Sequence, residues 1–287
     1  MILVLGSNGQ LGSDVVEELS SRDLEFQTFN RKNVNFEDLA NFEIELRKIE
    51  FDFLINCTSF HKTDDVENDP EKAFKLNYHC PKIMAKICRE KVATLFHIST
   101  DYVFGGRNHT ELIKEETTTS PLNIYGASKS LGENAVLNEW KNSYVLRVAS
   151  LFGKAGASGK GGNFVETMIS LAKENKEINV VDDQIMTPTS TRFIAEVIIS
   201  LILNKKEYGI YNITNDHKLS WFNFAQLIFN ILDMKPSLNP INTSDLNLPA
   251  ARPKFSALDN LKLKNSGIRV PSLREELKLY LKEKGHL

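Results

Sequence analysis

The sequence predicts an α/β fold, a doubly wound parallel sheet followed by a smaller C-terminal lobe. Three observations predict it. Short apolar runs such as Ile2-Leu3-Val4-Leu5 and Phe51 to Asn56 alternate with amphipathic stretches. Strands buried on both faces need that composition, and the helices supply the cover. A glycine-rich turn, Gly6-Ser7-Asn8-Gly9-Gln10-Leu11-Gly12, follows the first run at once. After about residue 150 the alternation loses its regularity.

The elements can be justified in chain order. Ile2 to Leu5 reads as a buried strand. Asp14 to Leu19 has helical spacing through Val15, Val16 and Leu19. Glu25 to Phe29 reads as a strand, Leu39 to Ile49 as a helix and Phe51 to Asn56 as a strand. Asp69-Pro70 opens a helix running toward Leu76, with Pro in the first turn and Glu71 near the positive end of the dipole. Pro81 to Glu90 reads as a further helix and Thr94 to Ile98 as a strand. Ser120-Pro121 leads into a helix over Pro121 to Leu137, followed by a strand at Tyr144 to Ala149. The segment Gly153 to Gly162 reads as a flexible loop or hinge.

Beyond it, helices are expected at Asn163 to Glu174, Thr191 to Leu203 and Trp221 to Leu232. Short strands are expected at Val180-Val181 and Gly209 to Ile213. The tail from Pro271 to Lys284 carries an apolar stripe at Leu273, Leu277 and Leu281. These textures place a nucleotide-binding domain in 1–150, with part of 180–213 returning to it. They leave 151–287 mostly to the second lobe.

Composition narrows the function classes. The 287 residues are 41% hydrophobic and 25% charged, ordinary for a globular chain. The formal net charge is -2, which leaves no basic excess for neutralising a nucleic-acid backbone. Cys57, Cys80 and Cys88 form no disulfide framework, and no Cys-x-x-Cys or His-x-x-x-His pair suggests a metal. Met1 to Leu5 is too short for a signal-peptide core. Phe193 to Leu203 contains Glu196 and falls short of the roughly 18 residues that a bilayer span requires. A cytoplasmic protein without nucleic-acid, membrane or metal partners is expected.

The Gly6 to Gly12 turn lies between a strand and a helix, the context of a dinucleotide-binding loop. There, glycines allow backbone approach to a pyrophosphate and the helix N-terminus faces the phosphates. At the end of the second strand stand Arg31 and Lys32, with no acid to hold a ribose 2′-hydroxyl. Arg31 suits a 2′-phosphate instead, which predicts NADPH, with NADH as the alternative.

Tyr125 and Lys129 are four apart and share one face of a helix. A neighbouring ammonium lowers a phenol toward a usable range and makes it an acid or base for carbonyl chemistry. Upstream, Ser99-Thr100-Asp101 ends a strand, where open parallel sheets place their ligands. Thr100 is thus positioned to hydrogen-bond a substrate oxygen.

The order of glycine loop, Ser-Thr-Asp and Tyr-x-x-x-Lys resembles the extended short-chain dehydrogenase/reductases, with their Rossmann-like fold. More narrowly, the chain resembles the dTDP-4-dehydrorhamnose reductase family. The resemblance is carried by GSNGQLG at 6–12, INC at 55–57, VENDPEKAFKLN at 66–77, ISTDYVFGG at 98–106 and PLNIYGASKSLGE at 121–133. It continues with GGNFVETMISLA at 161–172, VVDDQIMTPT at 180–189, GIYNIT at 209–214, SWFNFA at 220–225 and ARPKFSALDNLKL at 251–263.

The resemblance implies reduction at C4 of a nucleotide 4-keto-6-deoxy-hexose. Tyr125 would give the proton, Lys129 would tune it and hold the nicotinamide ribose, and Thr100 would orient the carbonyl. Gly6, Asn8, Gly9, Gln10, Leu11, Gly12, Arg31, Cys57, Thr58, Ser59 and Asn77 would line the cofactor site together with Tyr125 and Lys129. Thr100, Asp101, Tyr102, Asn163, Gln184 and Arg252 would face the nucleotide sugar in a C-terminal substrate-binding lobe. A homodimer is the prior for such enzymes.

Related dehydratases follow the Thr with Asp-Glu, whereas this chain has Asp101-Tyr102. Sugar 4-epimerases share the Tyr and Lys but not usually the Asp-Tyr-Val-Phe that follows here. The family often reads Arg-Thr-x-Trp where this chain has Arg147-Val-Ala-Ser150, and His61-Lys62 replace a common Thr-Ala. Another 4-keto sugar thus stays open as the substrate. A non-catalytic alternative is an NADP-binding regulatory protein like the subunit of methionine adenosyltransferase that resembles this family.

Overall fold

The computed structural model describes residues 1–156 and 162–287. The first half alternates strand and helix. It runs β1 (Ile2–Leu5), α1 (Gln10–Ser21), β2 (Phe26–Phe29), α2 (Leu39–Arg47), β3 (Phe53–Asn56), α3 (Thr63–Asn68), α4 (Pro70–Phe74), α5 (Cys80–Lys91), β4 (Thr94–Thr100), α6 (Ile124–Glu139) and β5 (Ser143–Val148). Then come β6 (Leu151–Phe152), α7 (Phe164–Lys173), β7 (Ile178–Val181), β8 (Ile185–Met186), β9 (Thr189–Ser190), α8 (Thr191–Asn204) and β10 (Gly209–Asn212). The chain closes with β11 (Leu219–Ser220), α9 (Trp221–Leu232), β12 (Leu238–Ile241), α10 (Leu261–Asn265) and α11 (Leu273–Glu283).

Six strands form one sheet in the order β10-β5-β4-β3-β1-β2, every pair parallel. Alternation along β1 divides the core. Ile2 and Val4 join Val15 of α1 and Phe193, Val197 and Ile198 of α8 on one face. Leu3 and Leu5 join Phe42 of α2, Met84 and Cys88 of α5 and Val136 of α6 on the other. The sheet is doubly wound. The winding reverses between β1 and β3, so their C-terminal ends border the crevice where such sheets take ligands.

A second core lies in the C-terminal half. Val165 and Ile169 of α7, Phe224 and Ile228 of α9, and Leu273, Leu277 and Leu281 of α11 pack with Ile178 and Val180 of β7. A capping box of Ser272 and Glu275 opens α11 and satisfies two first-turn donors. Small pairs β7–β12, β8–β11 and β6–β9 stitch this half together. Among the described residues no helix is long and apolar enough to cross a membrane.

Three local expectations need correction. The helix expected from Pro121 begins at Ile124, because Asn123 and not the Ser-Pro pair caps it: Asn123 Oδ1 accepts from Gly126 N at 2.8 Å. The helices expected at Asp69–Leu76 and Pro81–Glu90 are one continuous run, joined by a π turn at Lys75–His79. Helix α3 was not foreseen. Its six residues carry a single buried apolar side chain, Val66, too little to make a period. The Gly153 to Gly162 segment, expected as a hinge, lies in part (157–161) outside the described residues.

Candidate active site

The glycine loop follows from close approach. Gly6 has φ +77, and a Cβ on it would stand 3.0 Å from the Cys57 carbonyl carbon and 3.1 Å from Thr58 Cγ2. The end of β1 is thereby pressed against the segment leaving β3. Gly12 sits still tighter, since a Cβ there would lie 2.2 Å from Gly6 O. Gly9 caps α1 with no side chain over the helix end, and the first turn holds no acid. Such a cradle fits a dinucleotide pyrophosphate: it has backbone donors, a favourable dipole and no competing carboxylate. Arg31 and Lys32 are exposed in the turn after β2.

The segment beyond β3 is held by Asn77. This buried side chain accepts from Phe60 N at 2.9 Å and from Ser59 Oγ at 3.2 Å. It donates to Phe60 O at 2.9 Å and to Ser128 Oγ of α6 at 3.1 Å. Asn77 lies in the π turn, a feature frequent at functional sites because it re-aims one side chain. Among the residues expected to touch a cofactor, Asn77 is thus engaged in positioning Ser59.

Beyond β4, Thr100 Oγ1 donates to Asp101 Oδ1 at 3.1 Å and accepts from Tyr102 N at 3.2 Å. Helix α6 comes so close that a Cβ on Gly126 would stand 2.0 Å from Tyr102 O. This brings Tyr125 to the strand end. Its ring meets that of Tyr102 edge-on, with centroids 5.6 Å apart, and its hydroxyl lies near those of Thr100 and Ser59. Burial pushes the phenol up from 10 to about 12, and the two hydroxyls only partly offset that. Asp101, 3% exposed, is pushed up by burial to about 6, opposed by hydrogen bonds from Ser256 and Thr100.

The expected lowering of Tyr125 by Lys129 is not what the geometry gives. Lys129 Nζ donates to Ile98 O of β4 at 2.6 Å, and it is not among the groups that shift Tyr125. The carbonyl draws the ammonium toward the strand. Burial lowers the lysine to about 8, opposed by Glu133. Beneath it, Arg147 holds both oxygens of Glu133 at 2.9 and 2.7 Å, and Ser99 Oγ donates to the same carboxylate at 2.5 Å. This buried pair anchors α6 to β4 and β5. Removing one partner of such a pair typically costs about 3–5 kcal/mol.

The expected substrate residues of the second half meet different partners. Arg252 donates to Ala250 O at 2.7 Å and to Asp64 Oδ2 of α3 at 2.8 Å. Its charge also acts on Tyr102. Gln184 donates to Thr243 Oγ1 at 2.9 Å. Asn163 caps α7 by accepting from Glu166 N and donates to Gly153 O and Tyr280 Oη, each at 3.0 Å. Ser150, where an aromatic was missing, occupies a left-handed backbone position with φ 45 between β5 and β6.

Sequence reasoning missed Ser256, Asp64, Asn56 and His97. Ser256 and Asp64 are distant in sequence from the residues they bond, so spacing carries no signal for them. Asn56 and His97 are the polar exceptions inside apolar strands. A buried polar residue in such a run is itself a signal that a partner is needed.

The family described as the RmlD substrate binding domain matches residues 1–285. The chain is 32% identical over 283 residues, 99% of it and 97% of the relative, to the spore coat polysaccharide biosynthesis protein SpsK of Bacillus subtilis (strain 168). Among solved structures it is similar to a dTDP-4-dehydrorhamnose reductase from Clostridium acetobutylicum ATCC 824, with TM-score 0.92, 33% identity and 99% of each chain covered. It is also similar to the dTDP-4-dehydrorhamnose reductase from Bacillus anthracis str. Ames in complex with NADP. There the TM-score is 0.90, with 34% identity and 98% of each chain covered.

Proposed function

The chain belongs to the RmlD substrate binding domain family, and from that membership we propose that it is an NADPH-dependent reductase of nucleotide sugars. Its substrate is the C4 ketone of a dTDP-4-dehydro-6-deoxy-hexose, foremost dTDP-4-dehydrorhamnose, and the product is dTDP-L-rhamnose. One observation carries the reading: Tyr125 stands beside Thr100 at the end of β4 and beside Ser59, which follows the Cys57–Thr58 segment that Gly6 packs against.

The high value of Tyr125 suits reduction. A phenol at about 12 stays protonated at neutral pH, and an alkoxide forming at C4 is more basic still. When bound, the dinucleotide supplies the hydride. Tyr125 gives its hydroxyl proton to the ketone oxygen, while Thr100 and Ser59 hold the phenol in line. Thr100, Asp101 and Tyr102 form the sugar side of the cleft. Gly6, Asn8, Gly9, Gln10, Leu11 and Gly12 cradle the pyrophosphate, and Arg31 meets the 2′-phosphate. Cys57, Thr58 and Ser59 wall the nicotinamide side, with Lys129 toward its ribose.

Arg252 offers a planar fork for the substrate diphosphate, with Asp64 holding it ready. Asn163 and Gln184 act one layer back, because their amides already bond Gly153, Tyr280 and Thr243. In this reading 1–150, with α8 and β10, is the dinucleotide-binding domain and the rest of 151–287 is mostly the substrate lobe. The protein works as a cytoplasmic homodimer.

The test is NADPH oxidation with a panel of dTDP-4-keto sugars. Tyr125→Phe should lower kcat on the order of 100-fold or more with little change in KM, since its proton moves only in the transition state. Unchanged kcat removes Tyr125 from the mechanism. Binding of NADPH without any oxidation sinks the enzyme reading in favour of a regulatory one. Sedimentation at micromolar concentration reads the dimer, and a monomer there removes it.

A further inference from the structure

Strand β4 carries a titratable side chain that the reaction above leaves unused. His97 has no exposed surface and pairs in register with Asn56 of β3. Its Nδ1 lies 3.0 Å from Asn56 Nδ2, and its Nε2 lies 3.5 Å from Lys129 Nζ. The positions of the protons follow from the neighbours. Thr58 N–H can only donate, and it lies 3.0 Å from Asn56 Oδ1; the Thr58 hydroxyl adds a second bond to that oxygen at 2.5 Å. The oxygen end of the amide is fixed, so its NH2 end faces His97. Nδ1 must therefore accept. Burial, helped by the nearby Lys129, holds His97 far below its usual range and hence neutral. A neutral imidazole that accepts at Nδ1 carries its hydrogen on Nε2.

That hydrogen is directed at Lys129. An N–H facing an ammonium is repelled, whereas an N–H facing a neutral amine meets a lone pair. We propose that His97 is a positioning residue for Lys129: Asn56 fixes its tautomer, and the resulting Nε2–H favours the uncharged amine over the ammonium. The other groups facing Lys129 do not reverse this. Glu133 favours the ammonium, but Arg147 and Ser99 already engage its carboxylate. The Cys57 thiol, pushed up to about 12 by burial, carries no charge. Ile98 O accepts from either form of the lysine. Because Thr58 belongs to the segment packed on Gly6, the bonds from Thr58 through Asn56 and His97 reach from the dinucleotide loop to Lys129. The functional weight of this inference rests on Lys129 belonging to the reductase site, but its readout does not depend on turnover.

The experiment is a long-range 1H–15N correlation spectrum of the cofactor-free, full-length protein labelled with 15N-histidine, recorded from pH 6 to 10, with His97→Gln for assignment. The expected result is a neutral His97 with its hydrogen on Nε2. That resonance should inflect near pH 8, where Lys129 titrates, and Lys129→Met should abolish the inflection. Asn56→Asp puts an acceptor against Nδ1, moves the hydrogen there and leaves an Nε2 lone pair for the ammonium. The inflection should then rise by about one unit or more. An Nδ1–H tautomer in the wild type overturns the proposal, as does an imidazolium at pH 7 or a resonance flat through pH 8. If the tautomer and inflection are present in a protein that oxidises no NADPH, the His97–Lys129 coupling stands and the reductase reading fails.

Discussion

Ser256 Oγ donates to Asp101 Oδ2 at 2.6 Å, joining a segment near the end of the chain to the residue just beyond β4. The bond holds a carboxyl that burial would rather keep neutral. It links the segment that follows Arg252 to the strand end beside Thr100.

Asp101 should therefore make stability depend on pH in a definite sense. Its folded value, about 6, lies above the unfolded 3.8, so the folded chain retains a proton that the unfolded one releases. The stability this gives is full below about 4 and is lost as pH rises through 6. Asp101→Asn keeps a neutral amide that can accept from Ser256. Relative to wild type it should gain about 2 kcal/mol between pH 4 and pH 8. Urea unfolding at the two pH values measures this, and a pH-independent difference counts against it.

Lys129 works in the opposite direction along the pH scale. Its folded value of about 8 lies below the ordinary 10.5, so the buried charge costs stability at neutral pH. That cost fades as pH rises from 8 to 10.5. Lys129→Met should stabilise the cofactor-free protein by about 3 kcal/mol at pH 7 and by little at pH 10.5, while lowering kcat on the order of 100-fold. Loss of stability at pH 7 would show that the ammonium is favourably paired.

Gly12→Ala tests the cradle. The added methyl meets Gly6 O at 2.2 Å, and backbone cannot give way as a side chain could. Stability should fall by about 1–3 kcal/mol, as in other overpacked sites. NADPH affinity, read by calorimetry, should fall at least about tenfold because the loop must move away from the helix N-terminus. An affinity within twofold of wild type means that the pyrophosphate sits elsewhere.

Arg31→Ala should separate the two nicotinamide cofactors. Arg31 is exposed, so its removal leaves the fold intact. The KM for NADPH should rise about tenfold, the worth of one charge-assisted phosphate contact, and that for NADH should stay unchanged. Equal effects on both would move the 2′-phosphate away from this turn.

The sheet was legible because each strand is a short apolar run and each helix shows its period. The places of Thr100 at the end of β4, of Tyr125 in α6 and of the glycine loop between β1 and α1 were legible from the patterning around them. Partnerships across the sheet were not. The spacing of Tyr125 and Lys129 suggested a direct pair, yet a carbonyl on β4 draws the lysine away. Asn56 and His97 face each other only because β3 and β4 are adjacent, which no local pattern encodes. Pro121 resembled a helix start, but the capping bond of Asn123 decides where α6 begins.

The π turn at Lys75–His79 has a consequence for how this chain can change by insertion or deletion. A π turn holds one residue more than the α-helix it interrupts. Deleting a single residue there would leave a more regular helix, with better local geometry than before. The flanking turns would keep their relative orientation, but the widened turn that aims Asn77 would be gone. Asn77 would leave Ser128 and the Ser59 segment, and the phenol of Tyr125 would lose a neighbour. A homologue one residue shorter between Phe74 and Cys80 would look helically improved and would have to hold its Ser59 counterpart by other means.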